Sequence, residues 1–327
     1  MPIPGKNALG VARNFMSVVK EIDFEEVRER AESSPRFVVI APQEEEAREA
    51  ALAIFGSTND RDIEIRAANR ELAFEKSRFD GVIVADAGRT KLLEDVRRYV
   101  GSSGAVKVFS YDVNSSATDP AEHLRLQITS QLPDLAPALG RFYERFRTAA
   151  VKAIVDESAK ANAQFALISN VPAVIPILGG FVSAGADLIV LTKNQIMMCY
   201  KIAAAHDRDL ADQVGVIREL VPVVGAGFLW RTLAREAASF IPFAAGTIPK
   251  VVVAYGGTFS VGRAADFYYR FGKKPSAQQA KEFSRQAMEI ARQLPFVRNA
   301  GHDEAIDVGP NNPTVPLAPG DDVASEK

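Results

Sequence analysis

The chain has 327 residues, enough for two domains with a sizeable core. Hydrophobic residues make up 47% and charged residues 24%, with a mean hydropathy of −0.03; a disordered polymer, a collagen and a uniformly lipid-embedded bundle are excluded. Thirty-nine basic and 41 acidic side chains give a net charge of −2, which advertises no bulk affinity for nucleic acid.

In chain order, residues 11–33 place Val18, Val19, Ile22, Phe24 and Val27 among charges, an amphipathic helical lead-in. Phe37-Val38-Val39-Ile40 reads as a strand, and residues 44–55 as a helix that starts on Glu44-Glu45-Glu46 and stops at Gly56. Residues 62–66 alternate like a strand and 68–77 look helical. A buried strand over 81–86, a helix over 89–100 and a strand over 106–112 follow. Strands alternating with helices predict parallel β-α-β units in a small three-layer α/β domain over residues 34–120. From 121 to 300 the pattern is helical. One continuous stripe is expected over 134–160 through Leu135, Leu139, Phe142, Phe146, Ala150 and Ile154, with another helix over 275–297. Residues 301–327, rich in Pro, Gly, Asn and Asp, are expected to be a disordered acidic tail.

The near-zero charge is a cancellation. Residues 1–140 carry 18 basic and 23 acidic side chains, 141–300 carry 20 and 12, and 301–327 carry one and six. The basic middle block is also the most apolar. Between Lys160 and Asp187 lie 26 uncharged residues, long enough to span a bilayer but broken by Pro172, Pro176 and Gly179-Gly180. Within and beside that run, Phe165, Ile168, Val174, Ile175, Ile177, Leu178 and Phe181 are the expected membrane or partner contacts, joined by Trp230, Arg231 and Arg235 further along. Tyr255 and Tyr268-Tyr269 near Arg263 and Arg270 read either as interfacial anchors or as core aromatics with snorkelling arginines.

Strand, loop and helix over 37–55 occupy the place of a phosphate-binding loop, whose chemistry needs glycines, a lysine and a hydroxyl. The sequence reads Ala41-Pro42-Gln43-Glu44-Glu45-Glu46, with three carboxylates where an anion would sit. No nucleotide-binding or catalytic residue is expected. Asp86 reads as a cap for the following helix, and Asp112 as a turn aspartate. The lone Cys199 and three scattered histidines offer no disulfide or metal set, so no cofactor or metal is expected. The first residues lack an apolar run and a cleavage site, which fits a reducing cytoplasm.

Ile175-Pro-Ile-Leu-Gly-Gly180, Ala186-Asp187 through Thr192-Lys193-Asn194-Gln195, Leu229-Trp230-Arg231 with Arg235-Glu236, and Ala254-Tyr255 through Thr258 to Gly262 carry a resemblance. Over residues 134–272 the chain resembles a bacterial helical-domain family of unknown function, found behind Era-like GTPase domains and in YcjF-like inner-membrane proteins. The resemblance implies a degenerate GTPase-like α/β domain and a helical domain at the cytoplasmic side of the inner membrane. Its implied role is non-catalytic, as an adaptor or assembly partner contacting lipid, with an intact GTPase as a candidate protein partner. The alternative is a soluble cytoplasmic protein with an α/β and a helical part and no membrane contact. Asp187, Lys193, Asn194 and Gln195 form a polar cluster in an apolar region. Asp187 and Asn194, at i and i+7, share one helix face. They read either as a satisfied interhelical hydrogen-bond network or as a contact site for a partner. His206 reads as a helix-end residue.

Overall fold

The computed structural model describes residues 19–58, 61–68, 74–86, 88, 90–101, 106–168, 184–224 and 247–294. Among these, helix α1 (Glu25–Glu32) leads into strand β1 (Phe37–Ala41), helix α2 (Glu44–Phe55), β2 (Ile63–Ala67), β3 (Gly81–Ala85), α3 (Leu92–Val100), β4 (Lys107–Tyr111) and α4 (Pro120–Gln131). Then come α5 (Ala136–Phe142), α6 (Arg147–Ile168), α7 (Ala184–Ala205), α8 (Gln213–Val224), α9 (Thr247–Phe271) and α10 (Ala277–Arg292). The chain therefore combines a small α/β unit with a helical one.

The four strands pair in the order β2-β1-β3-β4, all parallel. Successive side chains of a strand point to opposite faces, so Phe37 and Val39 meet Ala47, Ala51 and Ile54 of α2, while Val38 and Ile40 meet Leu92 and Val96 of α3. Helices on both faces make the three layers. Helix α2 ends where expected, on Gly56 at φ +86°, a left-handed position that other residues rarely take. Of the helix expected over 68–77, residues 69–73 lie outside the described residues; beyond them a short 3₁₀ turn runs over Lys76–Arg78.

The sheet's core runs past residue 120. Leu124 and Ile128 of α4, and Leu139, Tyr143 and Phe146 beyond it, join the cluster over β1 and α2. Asp119 caps α4 by accepting from the Glu122 N–H at 2.9 Å. Arg125, buried, donates to the Ala53 and Ile54 carbonyls at 3.0 and 3.2 Å, which satisfies the C-terminal end of α2. The single helix expected over 134–160 is broken. Tyr143 is extended, its hydroxyl donates to the Pro35 carbonyl at 2.9 Å, and a 3₁₀ turn separates α5 from α6. Phe142, expected on the apolar stripe, is exposed.

Helices α6, α7 and α9 form the centre of the bundle, with α8 and α10 packed on them. The lead-in belongs to it as well: Val19 and Phe24 are buried, and Phe24 lies 4.6 Å from the Tyr200 ring of α7. Gly140 joins the two units, since a Cβ there would sit 2.8 Å from that of Ala205. Arg147 donates to the Ala205 carbonyl and Arg141 to that of Arg208, at 3.2 and 2.8 Å. Helix α10 starts on a capping box, with Ser276 and Gln279 exchanging bonds of 2.8 and 3.3 Å. Among the described residues no helix is long and apolar enough to cross a membrane.

Candidate functional site

In open parallel sheets ligands bind outside the carboxyl ends of the strands, where the strand order reverses; here that is the β1/β3 edge. The β1–α2 connection there is Pro42-Gln43. Gln43 makes no capping side-chain bond, and the first turn of α2 presents Glu44, Glu45 and Glu46. Asp86, at the end of β3, accepts from the Thr90 amide and hydroxyl at 3.1 and 2.9 Å. Thr90 Oγ1 in turn accepts from the Leu92 N–H at 3.1 Å. Asp86 thus holds the loop into α3 through Thr90, one step removed from the direct cap expected. Asp112 accepts from the Asn114 N–H at 2.8 Å, the turn role expected of it. The cleft beside this edge, about 410 Å³, is lined by Glu46, Glu49, Tyr111 and Asn114 among apolar residues, with no cation among the described residues that line it. Burial, and then the charge of Asp119, push the Tyr111 hydroxyl above its usual range, so that group stays neutral. This edge is built from carboxylates and a phenol, a poor receiver of a polyphosphate.

The helical unit holds a polar layer. Asn162 on α6, wholly buried, donates to the Thr258 hydroxyl of α9 at 2.7 Å and accepts from Asn194 of α7 at 2.7 Å. Gln195 donates to Thr258 at 3.3 Å, and Thr258 donates to the Ala254 carbonyl at 2.9 Å. Three helices are therefore tied at one level by groups that satisfy one another, as buried polar atoms must be. Of the four residues expected to cluster, Asn194 and Gln195 lie in this layer. Lys193 turns away to pair with Glu21 at 3.0 Å. Asp187 falls on α7, and its side chain lies outside the described residues. Asn162 and Thr258 were missed as members. An asparagine inside an uncharged helical run was the available signal for the first.

A second polar knot closes the other end of α7. His206 caps that helix; Asp207 takes φ +56°, and the Arg208 N–H reaches back to the Ala203 carbonyl at 3.1 Å. The helix-end role expected of His206 is observed, and its ring is also buried. Nε2 lies 3.0 Å from Asp266 Oδ1, both side chains being 5% exposed, and Tyr269 stacks on it at 5.5 Å. Arg270 Nε donates to the same Asp266 oxygen at 2.8 Å. Burial works to raise the Asp266 pKa, and the hydrogen bonds from His206 and Arg270 outweigh it, holding the carboxyl below its usual range. Tyr268 donates to Glu219, so the tyrosine pair serves internal contacts, as does the buried Tyr255; the anchor reading of these three gives way to the core reading.

Phe165 is half-buried on α6, and Ile168 at its end is exposed. Val174, Ile175, Ile177, Leu178, Phe181, Trp230, Arg231 and Arg235 lie outside the described residues, as does the tail 301–327. Among the described residues no group of three or more His, Cys, Asp or Glu is placed to hold a metal. No family model, curated protein or solved structure matches the chain.

Proposed function

We propose that this protein is a non-catalytic, membrane-associated relative of Era-like GTPases that works as an adaptor or assembly partner, with an intact GTPase as the partner the layout suits. One observation carries the reading. Asn162, Asn194 and Thr258 lie at one level, and Arg147 meets Ala205 at the other end, so α6 and α7 run antiparallel. Helix α9 is antiparallel to α6 too, since Arg270 reaches Thr148 while Thr258 meets Asn162. The end of α6 at Ile168 and the starts of α7 and α9 at Ala184 and Thr247 therefore share one end of the bundle. That end is opposite the α/β unit. The uncharged stretch 169–183 leaves and returns there, and the mostly apolar stretch 225–246 returns there. Ile168 and Val190, both exposed, sit at that end as well. Arg231 and Arg235 in the second stretch supply cations for anionic headgroups. Residues 161–168 belong to α6, with Asn162, Ala163 and Ala166 buried, which supports leaving the buried face of that helix out of the proposed contact.

The acidic first turn of α2, directly after β1, supports the absence of nucleotide chemistry. GTP and ATP are expected to show no saturable binding up to about 1 mM by equilibrium dialysis; micromolar binding would overturn that part. Flotation with phosphatidylglycerol-containing vesicles tests the membrane part. The protein is expected to float at about 50 mM salt and to be partly released at about 500 mM. Retention in the aqueous fraction at both salts, with a monodisperse protein, favours the second reading, a soluble α/β and helical protein. That reading draws on the polar layer, which folds the flanks of the uncharged run into an ordinary core.

A further inference from the structure

At the carboxyl edge of the sheet, the cleft of about 410 Å³ beside α2, β3 and β4 has the capacity of a small-molecule site. Its α2 wall follows from helical spacing: Glu46, Glu49, Ala50 and Ala53 stand at i, i+3, i+4 and i+7, on one face. The two alanines leave room beside the carboxylates. The register that sets Ala85 of β3 beside Tyr111 of β4 brings the phenol into the same cleft.

Two groups there have no use inside the fold. Glu49 is exposed and makes no hydrogen bond or ion pair among the described residues. Tyr111 is only 8% exposed, and its hydroxyl likewise has no hydrogen-bond partner among the described residues. Unlike the Tyr269 hydroxyl, which protein atoms cover, this one stays accessible, and its residue lines the cleft. Buried polar groups are ordinarily paired, so a phenol nine-tenths buried with its oxygen open to a cleft points to a ligand atom there. Burial keeps the hydroxyl neutral, so it accepts as well as donates. The Glu49 carboxylate, the Tyr111 oxygen and the Asn114 amide oxygen form a set of acceptors, and Ala50, Ala53 and Val113 beside them are apolar. Such a set suits a cation on an aliphatic stem. A guanidinium, with five donors in one plane, uses it more fully than an ammonium with three.

We propose that this cleft binds an alkylguanidinium, the chemistry of an arginine side chain, with its head on Glu49 and the Tyr111 oxygen and its stem along Ala53 and Val113. The source is a free cation or an arginine carried by a protein partner. The site is independent of the membrane reading, since it needs neither lipid nor the far end of the bundle.

Calorimetric titration of the full chain at about 50 mM salt, with agmatine and separately with N-acetyl-argininamide, tests this. Saturable binding with a Kd below about 1 mM is expected, weakened about tenfold by Glu49→Gln and about threefold by Tyr111→Phe. Glu45→Gln removes the same charge from the same helix outside the cleft, and is expected to change affinity less than about twofold. Glu49→Gln and Tyr111→Phe should melt with the wild type, one side chain being exposed and the lost hydroxyl bonding nothing within the described residues. Putrescine, with an ammonium in place of the guanidinium on the same stem, is expected to bind about fivefold more weakly than agmatine. Tighter binding of agmatine assigns a free dication, and equal or tighter binding of the blocked arginine assigns a partner's side chain. No saturation by either up to about 10 mM, equal loss with Glu45→Gln, indifference to Tyr111→Phe, or putrescine binding as tightly as agmatine would overturn the proposal.

Discussion

Asp266→Asn is expected to destabilise the fold by about 3 kcal/mol at pH 7, because it leaves His206, Arg263 and Arg270 around a site that no longer carries a carboxylate. The figure stays at the low end for a buried pair because the two arginines keep over a third of their side-chain surface in water, where the solvent screens them. Urea unfolding with an unchanged m-value measures it. The pH dependence carries a sign. A carboxyl whose folded pKa is held below its unfolded value contributes stability in full above the unfolded value, near 4, and loses it as pH falls through the folded one. The difference in stability between wild type and Asp266→Asn is therefore expected to be flat above about pH 5 and to shrink below it. A difference that stays constant into acid, or grows, would mean that Asp266 is not held ionised by this knot.

Asn162→Ala is expected to cost about 3 kcal/mol, combining two lost hydrogen bonds with a small cavity at a wholly buried site. The layer is a network, so its parts should not add. A double-mutant cycle of Asn162→Ala with Thr258→Val is expected to show a coupling of about 1 kcal/mol, since either change alone already breaks the 2.7 Å bond. Additive effects would show that the two side chains act independently. Asn194, partly buried, can turn to water when its partner is removed, so its own truncation should cost less.

What the sequence carried was local. Helix α2 was legible because its acidic first turn, apolar stripe and Gly56 all lie within thirteen residues, and β1 and β3 because short apolar runs are bounded by turn residues. The break between α5 and α6 was not legible. Its anchor is the bond from Tyr143 to Pro35, 108 residues away, and helical periodicity over 134–160 is blind to that. The same reason hid the polar layer's full membership and the histidine knot. Asn162 and Thr258 stand 96 residues apart, and His206 and Asp266 stand 60 apart, so each is an isolated polar residue until the bundle closes. Where one helix carried adjacent members, as with Asn194 and Gln195, the cluster could be read. Lys193 could not be separated from them, because only the packing of the segment before α1 shows that it faces Glu21.

The orientation of the bundle against lipid is decided by depth. A polarity-sensitive fluorophore is placed at Ile168→Cys, on the exposed end of α6, and separately at Leu52→Cys, exposed on α2 of the α/β unit; the buried Cys199 stays unlabelled. On adding phosphatidylglycerol-containing vesicles, the probe at 168 is expected to shift to the blue and to become protected from aqueous iodide, with the probe at 52 unchanged. Protection at both positions, at 52 alone, or at neither would contradict a bundle whose far end meets the membrane.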